Sequence, residues 1–211
     1  RGLTLQLFRV GDARTPTVGN ITMEGVAVTR RAAVGSSAGR LVVPVPVGYW
    51  PSGLYFARLD ASDRRVGFAP FVVRPTFLGE HRAAIVLPTL TWQAYNLRDD
   101  DGDGNGDSWY ARWTHRTVRL GRPFLNRGVP SNFRRYDLPF LEWLARTGRD
   151  VDVLARSDLE ASSARELAAA YDLIVFPGHH EYVTEREYDA VERYRNLGAN
   201  LAFLSANNFF W

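Results

Sequence analysis

The chain has 211 residues, of which 45% are hydrophobic, enough for the core of one large domain or two small ones. It contains no cysteine, which excludes disulfides, thiolate nucleophiles and cysteine-based metal centres. The net charge of +3 comes from scattered arginines, so nucleic acid is not an expected partner, and no run is long and apolar enough to span a membrane. We expect a bacterial protein, cytoplasmic or exported, and a fragment or processed chain because it begins without Met.

The first part of the chain, residues 1–76, is predicted to be an all-β domain. Alternating apolar residues predict short strands at 3–8, 41–47, 53–59 and 67–73. Because these strands are regularly spaced with no helical stretch between them, they favour an immunoglobulin-like β-sandwich.

The second part, residues 77–211, alternates strand and helix patterns. Strands are predicted at 83–87, 151–154, 173–176 and 201–204, and helices at 138–146, 164–170 and 185–196. Asp137 and Thr184 are the predicted N-caps, and Gly148 and Gly198 follow the predicted helix ends. Repeated βα units predict a parallel, flavodoxin-like doubly wound sheet. It has fewer strands than such sheets usually have, so we expect the domain to be truncated at its C-terminus.

The most chemically diverse stretch follows the third predicted strand of this sheet. Pro177 and Gly178 are expected to end the strand abruptly. The turn beyond it then carries four side chains suited to binding or catalysis: His179, His180, Glu181 and Tyr182.

Ligands bind at the carboxyl ends of the strands in open α/β sheets. Three such ends are expected to meet here, at 91–96, 178–182 and 205–208. Oxygen and nitrogen donors without thiolates suit a hard or borderline metal such as ferric iron, manganese or zinc. The alternative is that these side chains only satisfy the backbone where strands end.

Two of these turns also carry a family resemblance. Thr91-Trp-Gln-Ala-Tyr-Asn96 and Gly178-His-His-Glu-Tyr182, with Asn207-Asn-Phe-Phe-Trp211, resemble the family of the N,N-dimethylformamidase large (beta) subunit. The resemblance covers most of residues 40–211. It implies a β-sandwich-like domain joined to a domain like the class I glutamine amidotransferases. It also implies a mononuclear ferric iron, held by two tyrosinates and a glutamate, that hydrolyses a small linear amide. The matching positions are Tyr95, Tyr136 and Glu181.

Proton transfer in such a site is assigned to a histidine. His180 or His179 could take a proton from the attacking water or give one to the leaving amine; either could equally be a capping residue or support a ligand. Trp92, Asn207 and Asn208 are candidates for lining the pocket, and the asparagines could instead cap the next helix. Amidotransferase chemistry itself is excluded, since the chain lacks the cysteine nucleophile. Ser205 lacks the Gly-x-Ser-x-Gly context of a serine hydrolase.

An acidic stretch, residues 99–107, forms a second motif. It resembles the first half of an EF-hand loop, although Arg112 replaces the final glutamate. A calcium ion there would be structural and would order the long loop, residues 97–135, that delivers Tyr136; the alternative is a solvated acidic loop. The candidate calcium ligands are Asp101, Asp103, Asn105 and Asp107.

Two functional hypotheses follow. The first is an iron-dependent amidohydrolase that cleaves a C–N bond in a small amide and works as a homo-oligomer or with a small partner subunit. The second is a non-catalytic, calcium-stabilised binding module whose amidotransferase-like domain is degenerate. Metal content distinguishes them.

Overall fold

The computed structural model describes residues 2–11, 19–35, 42–111 and 117–210. These residues form one antiparallel sheet, one parallel sheet and the helices that cover the parallel sheet. The prediction that the chain combines β structure with α/β structure is therefore confirmed. Within the described ranges, no helix combines the length and apolar character needed to cross a membrane.

The antiparallel sheet comes from the N-terminal part of the chain. Its strands are β1 (Leu3–Arg9), β2 (Val26–Ala27), β3 (Ala32–Val34), β4 (Gly53–Ala61) and β5 (Val66–Val73). Their order is β2-β1-β4-β5, and β3 also pairs with β1. The strand predicted at 41–47 is wrong for its described residues, 42–47, which form no strand. Pro44 and Pro46 supply no backbone donor to a ladder there.

The parallel sheet comes from the C-terminal part. Its strands are β6 (Ala83–Leu87), β7 (Asp152–Ala155), β8 (Leu173–His179) and β9 (Asn200–Ala206). All neighbours are parallel, in the order β7-β6-β8-β9. The winding direction therefore reverses between β6 and β8, and the carboxyl ends of these two strands flank the crevice where ligands bind in such sheets.

The helices agree with the sequence patterns only in part. They are α1 (Thr89–Ala94), α2 (Phe133–Tyr136), α3 (Leu138–Thr147), α4 (Arg156–Ala161), α5 (Ala164–Ala170) and α6 (Glu185–Asn196). α3, α5 and α6 were predicted. Thr184 Oγ1 accepts a hydrogen bond from Glu187 N at 3.1 Å, as a predicted N-cap should. α1 occupies the predicted turn after β6, and α2 and α4 were not predicted.

Strand β8 does not end where its proline and glycine suggest. Its pairing with β6 stops at Val175, but its pairing with β9 continues to His179. β6 itself continues to Leu87, but its ladder with β8 has already ended before Pro177, which has no N–H to donate. His179 therefore belongs to the strand, and the turn begins at His180.

Two hydrophobic clusters pack against the two faces of the parallel sheet. The side chains of β6 alternate between them, as expected for a strand buried on both faces. The inter-sheet cluster joins Leu54 and Phe56 of β4 to Ile85 and Leu87 of β6. The outer cluster packs the opposite face of β6 under α5 and α6 through Ala84, Val86, Leu167, Val191 and Tyr194. Because the inter-sheet cluster draws on both sides of residue 76, the division into domains 1–76 and 77–211 stays a prediction.

Candidate active site

Three predicted side chains meet between the carboxyl ends of β6 and β8. Tyr95 Oη donates a hydrogen bond of 2.6 Å to Glu181 Oε2. His179 Nε2 lies 3.0 Å from the same carboxylate oxygen and 3.4 Å from Tyr95 Oη. Glu181 is buried, while the other two are partly accessible. We call Tyr95, His179 and Glu181 the polar cluster.

Tyr95 reaches this position because it ends α1. Its carbonyl oxygen accepts a hydrogen bond of 2.7 Å from Ser131 Oγ. The guanidinium of Arg122, buried in the long loop, donates to the carbonyl oxygens of Asn96 at 2.9 Å and Gln93 at 3.4 Å. A buried arginine that binds carbonyls at a helix end fixes the direction of the chain there. Sequence patterns gave no sign of this role for Arg122, because its partners lie in a distant segment.

Gly178 and Thr91 position the turn that carries Glu181. Gly178 has φ of +83°, and a β-carbon on it would come within 2.3 Å of Asp137 Oδ1, so this position requires glycine. Thr91 Oγ1 accepts a hydrogen bond of 3.0 Å from Tyr182 N. The strand that leads into the turn thus passes close to Asp137 at the α2–α3 junction, and the end of the turn is bonded to α1.

Tyr136, the third expected metal ligand, adjoins the polar cluster. Its ring centroid lies 5.4 Å from that of His179, and Tyr95 lies 5.6 Å from the same imidazole. The Arg135 guanidinium is 5.2 Å from the Tyr136 ring. The four-residue helix α2 therefore brings Tyr136 to the imidazole that also contacts Tyr95.

Asp137 was predicted to be an N-cap, and it occupies that position without making the bond. Its side chain forms no cap hydrogen bond. Instead, Asp137 Oδ2 accepts a hydrogen bond of 2.9 Å from Trp92 Nε1. Burial raises the pKa of Asp137 to about 8, although the bond from Trp92 partly opposes this. This contact ties α3 to α1 directly behind the polar cluster.

The protonation of Tyr95 follows from its surroundings. Burial, and then the hydrogen bond to Glu181, raise the pKa of Tyr95 well above its ordinary value. In this arrangement the phenol is a neutral donor and the carboxylate an acceptor. A cation with a high charge could take the place of that proton between the two oxygens.

The adjacent residues His179 and His180 differ in burial and in their hydrogen-bond partners. His180 is 2% exposed, with its ring edge-on to Phe176 at 5.1 Å, and burial lowers its pKa to about 3. Its Nε2 has no hydrogen-bond partner among the described residues. The backbone carbonyl of His180 accepts a hydrogen bond from Phe209 N at 2.8 Å, and its imidazole interacts with the backbone of Val86 and Pro177. Of the two predicted bases, His179 is the one in the polar cluster.

The polar cluster can be tested for its fit to a metal. Two oxygens bound at right angles to one octahedral ion, through bonds of about 2.0 Å, lie about 2.8 Å apart. The oxygens of Tyr95 and Glu181 are 2.6 Å apart, so a small opening would let both contact one ion. Phenolate and carboxylate oxygens are hard donors, as ferric iron requires. Tyr95 and Glu181 therefore have the donor type and spacing that the expected metal needs.

The predicted pocket residues differ in their surroundings. Trp92 is buried in the inter-sheet cluster and bonded to Asp137. Asn207 and Asn208 are exposed, and the Asn208 amide donates to the carbonyl of Ser205 at 3.0 Å. Two residues that were not predicted lie beside the polar cluster. The ring of Tyr110 stacks on Tyr95 at 4.3 Å, and that of Trp109 stacks on Tyr182 at 6.1 Å.

The acidic stretch, 99–107, precedes these two aromatic residues. Its carboxylates Asp99, Asp101 and Asp107 offer oxygen atoms that all lie within 4.8 Å of one another. Asp99, which was not a predicted ligand, accepts hydrogen bonds from Gly102 N at 2.6 Å and Gly104 N at 2.9 Å. These backbone bonds hold the pKa of Asp99 below its ordinary value. Arg112 lies outside the described residues.

Comparison with known proteins gives two matches. A family model described as N,N-dimethylformamidase beta subunit-like, C-terminal, matches residues 37–211. A curated protein, the N,N-dimethylformamidase beta subunit of Paracoccus aminophilus, is 32% identical over 120 residues. That region makes up 56% of this chain and only 15% of the relative.

Proposed function

This chain belongs to the N,N-dimethylformamidase beta subunit-like, C-terminal family, and we propose that it provides the metal site of an enzyme that hydrolyses a C–N bond in an amide. The observation that carries the proposal is the meeting of Tyr95 Oη, Glu181 Oε2 and His179 Nε2, with each pair of atoms within 3.4 Å. The arrangement combines hard oxygen donors with a partly accessible imidazole at the switch point of a parallel sheet.

In this proposal Tyr95, Tyr136 and Glu181 hold one ferric ion. The ion, when bound, would polarise the amide oxygen and lower the pKa of a bound water. Two phenolates and one carboxylate together balance its 3+ charge. The polar cluster supports this assignment for Tyr95 and Glu181 by direct contact. It supports Tyr136 through the His179 imidazole beside both tyrosines.

The proposed role of His179 is proton transfer. Its Nε2 lies 3.0 Å from the Glu181 carboxylate, which orients the ring toward the site. A metal ion that binds the Glu181 oxygen would free this nitrogen to take a proton from water and return it to the leaving amine. His180 has no comparable access, since it is buried against Phe176.

We extend the proposal to the finer fold and to assembly. The parallel sheet is proposed to be part of a class I glutamine amidotransferase-like domain, and the antiparallel sheet to be part of an immunoglobulin-like sandwich. The Paracoccus relative is named as a beta subunit. We therefore propose that this chain works beside at least one further subunit, or as a homo-oligomer.

The test is metal analysis of the purified full-length protein together with its visible spectrum. The expected result is about one iron per chain and an absorption band from phenolate-to-iron charge transfer, which weakens in Tyr95→Phe. Tyr188→Phe, an exposed tyrosine on α6, is the matched control and should keep the band. Colourless protein after reconstitution with iron would contradict the proposal.

A calcium ion in the acidic loop, residues 99–107, is a separate proposal supported by the grouping of Asp99, Asp101 and Asp107. Calorimetry on chelator-treated protein should show calcium binding that is lost in Asp101→Asn and kept in Asp150→Asn, a change at an exposed carboxylate outside the loop. If calcium binds but iron does not, the second hypothesis, a non-catalytic binding module, becomes the better one. Absence of heat in the unmodified protein would contradict calcium binding.

A further inference from the structure

A cavity of about 700 Å³ opens beside the polar cluster. Glu181 forms part of its wall, so the cavity adjoins the proposed reacting centre. Aromatic and aliphatic side chains line most of the rest, among them Trp109, Tyr110, Tyr182 and Leu120. We call this cavity the aromatic pocket. Its volume falls within the range of pockets that bury a drug-sized ligand, and an amide as small as dimethylformamide would fill only a small part of it.

The rings around the pocket support one another. Trp109 and Tyr182 stack nearly parallel, with 19° between their planes. The rings of Tyr182 and Tyr95 pack edge to face, with their centroids 6.3 Å apart. The ring of Tyr110 stacks on that of Tyr95, with centroids 4.3 Å apart. A chain of aromatic contacts thus leads from the pocket wall to the phenol of the polar cluster. Aromatic groups bind such surfaces by further stacking or edge-to-face contacts.

The charges at the pocket do not favour an anion. Among the described residues that line it, the one cation is Arg156, whose Nη1 lies 2.8 Å and 2.7 Å from the two carboxylate oxygens of Glu160. The Glu160 carboxylate also accepts a hydrogen bond from Thr184 Oγ1. The Glu181 carboxylate in the wall would repel a second negative charge. The charges of the described lining residues therefore favour a neutral ligand.

We propose that the aromatic pocket binds a neutral aromatic substituent of the substrate, which makes the preferred substrates of this chain aryl amides rather than dimethylformamide-sized ones. The claim that aryl amides are substrates rests on the proposed function. The claim that the aromatic pocket binds a neutral aromatic group does not.

The experiment therefore measures binding separately from hydrolysis. Calorimetry uses the full-length, iron-free protein with Glu181 intact, which keeps the carboxylate in the pocket wall and is expected not to turn the amides over. The probes are N-methylformanilide and N,N-dimethylformamide, which differ by a phenyl group in place of a methyl, and benzoate as an aromatic anion. N-methylformanilide is expected to bind at least about tenfold more tightly than either of the others.

Variants at the pocket then locate the bound ring. Trp109→Ala should weaken N-methylformanilide binding by about tenfold, whereas Trp109→Phe should retain most of it. Leu120→Trp keeps an exposed position apolar but fills the pocket, and it should also weaken binding, so the test does not depend on one variant folding. Trp143→Ala, at an exposed tryptophan on α3, is the control that should change nothing.

Two outcomes overturn the pocket assignment: equal affinity for the two amides, or N-methylformanilide binding that neither Trp109→Ala nor Leu120→Trp reduces. Failure of the proposed function gives a different result. In that case the aryl amide still binds in a Trp109-dependent way, but iron-loaded protein with Glu181 intact releases no N-methylaniline from it.

Discussion

The phenol of Tyr95 and the carboxylate of Glu181, 86 residues apart in sequence, are joined by a hydrogen bond of 2.6 Å. Tyr95 follows β6 and Glu181 follows β8, the two strands between which the winding of the parallel sheet reverses. The contact therefore depends on the topology, since only strands paired in parallel bring both carboxyl ends to one edge.

Replacing Glu181 with Gln should remove the proposed iron site. The amide keeps the size of the side chain but supplies no negative charge, so bound iron should fall to a small fraction of one per chain and amide hydrolysis by at least about a hundredfold. Elemental analysis and product release measure the two effects. Glu185→Gln changes an exposed glutamate in the first turn of α6 and should leave iron content unaltered. Full iron retention in Glu181→Gln would remove this residue from the ligand set.

The two histidines should respond differently to substitution. His179→Gln should lower the rate of hydrolysis by about a hundredfold or more, because loss of a general acid or base typically has an effect of that size. It should change stability little, since His179 is partly accessible. His180→Gln should instead lower the free energy of unfolding by about 1–3 kcal/mol, because it places a polar amide against Phe176 in a buried site.

Activity assays and denaturation of both variants separate these roles. A large kinetic loss in His180→Gln at unchanged stability would reverse the assignment.

The convergence of the site could be predicted from the sequence because the strand patterns are strong. Ala83–Leu87 is the predicted strand, and α5 and α6 have the predicted bounds. Since parallel strands share one edge for their carboxyl ends, placing Tyr95 near Glu181 needed no knowledge of side-chain packing. The choice of iron, and of Tyr136 as its third ligand, came from family resemblance, because periodicity carries no information on metal identity.

Other parts of the site depend on contacts distant in sequence. Asp137 looks like an N-cap locally, but its side chain is taken up by Trp92, 45 residues away. The sequence predicts that the strand ends at Pro177 and Gly178, but β8 continues beyond them because it pairs with β9 as far as His179. Trp109 lies in an irregular loop with no periodicity to mark it, so its place beside the site emerged only from the structure.

Gly178 and Gly198 provide a matched pair for testing the close approach at the site. Both have positive φ, of +83° and +88°, so alanine is strained at either position. At Gly198 the added β-carbon meets nothing within 4 Å, whereas at Gly178 it would lie 2.3 Å from Asp137 Oδ1. Gly198→Ala should lower the free energy of unfolding by about 1 kcal/mol, and Gly178→Ala by roughly 2–4 kcal/mol with impaired iron binding.

Urea denaturation and iron analysis of both proteins check this prediction. Equal losses of stability would show that the contact with Asp137 relaxes without cost.

The buried carboxyl group of Asp137 should make stability depend on pH in the iron-free protein. Its pKa is about 8 in the folded chain, against about 3.9 in the unfolded chain. The folded state therefore holds this proton more tightly. The resulting contribution to stability is complete below about pH 4 and is lost as the pH rises toward about 8, by up to about 1.4 kcal/mol per pH unit.

Asp137→Asn stays neutral at every pH and keeps an oxygen that can accept the bond from Trp92. The difference between the free energies of unfolding of the variant and the unmodified protein, measured in urea at pH 5 and pH 8, should therefore shift in favour of the variant at the higher pH. Parallel pH profiles would mean that the Asp137 carboxyl titrates alike in both states. In that case its burial against Trp92 and Gly178 would have to be accompanied by a compensating charge or by solvent that reaches it.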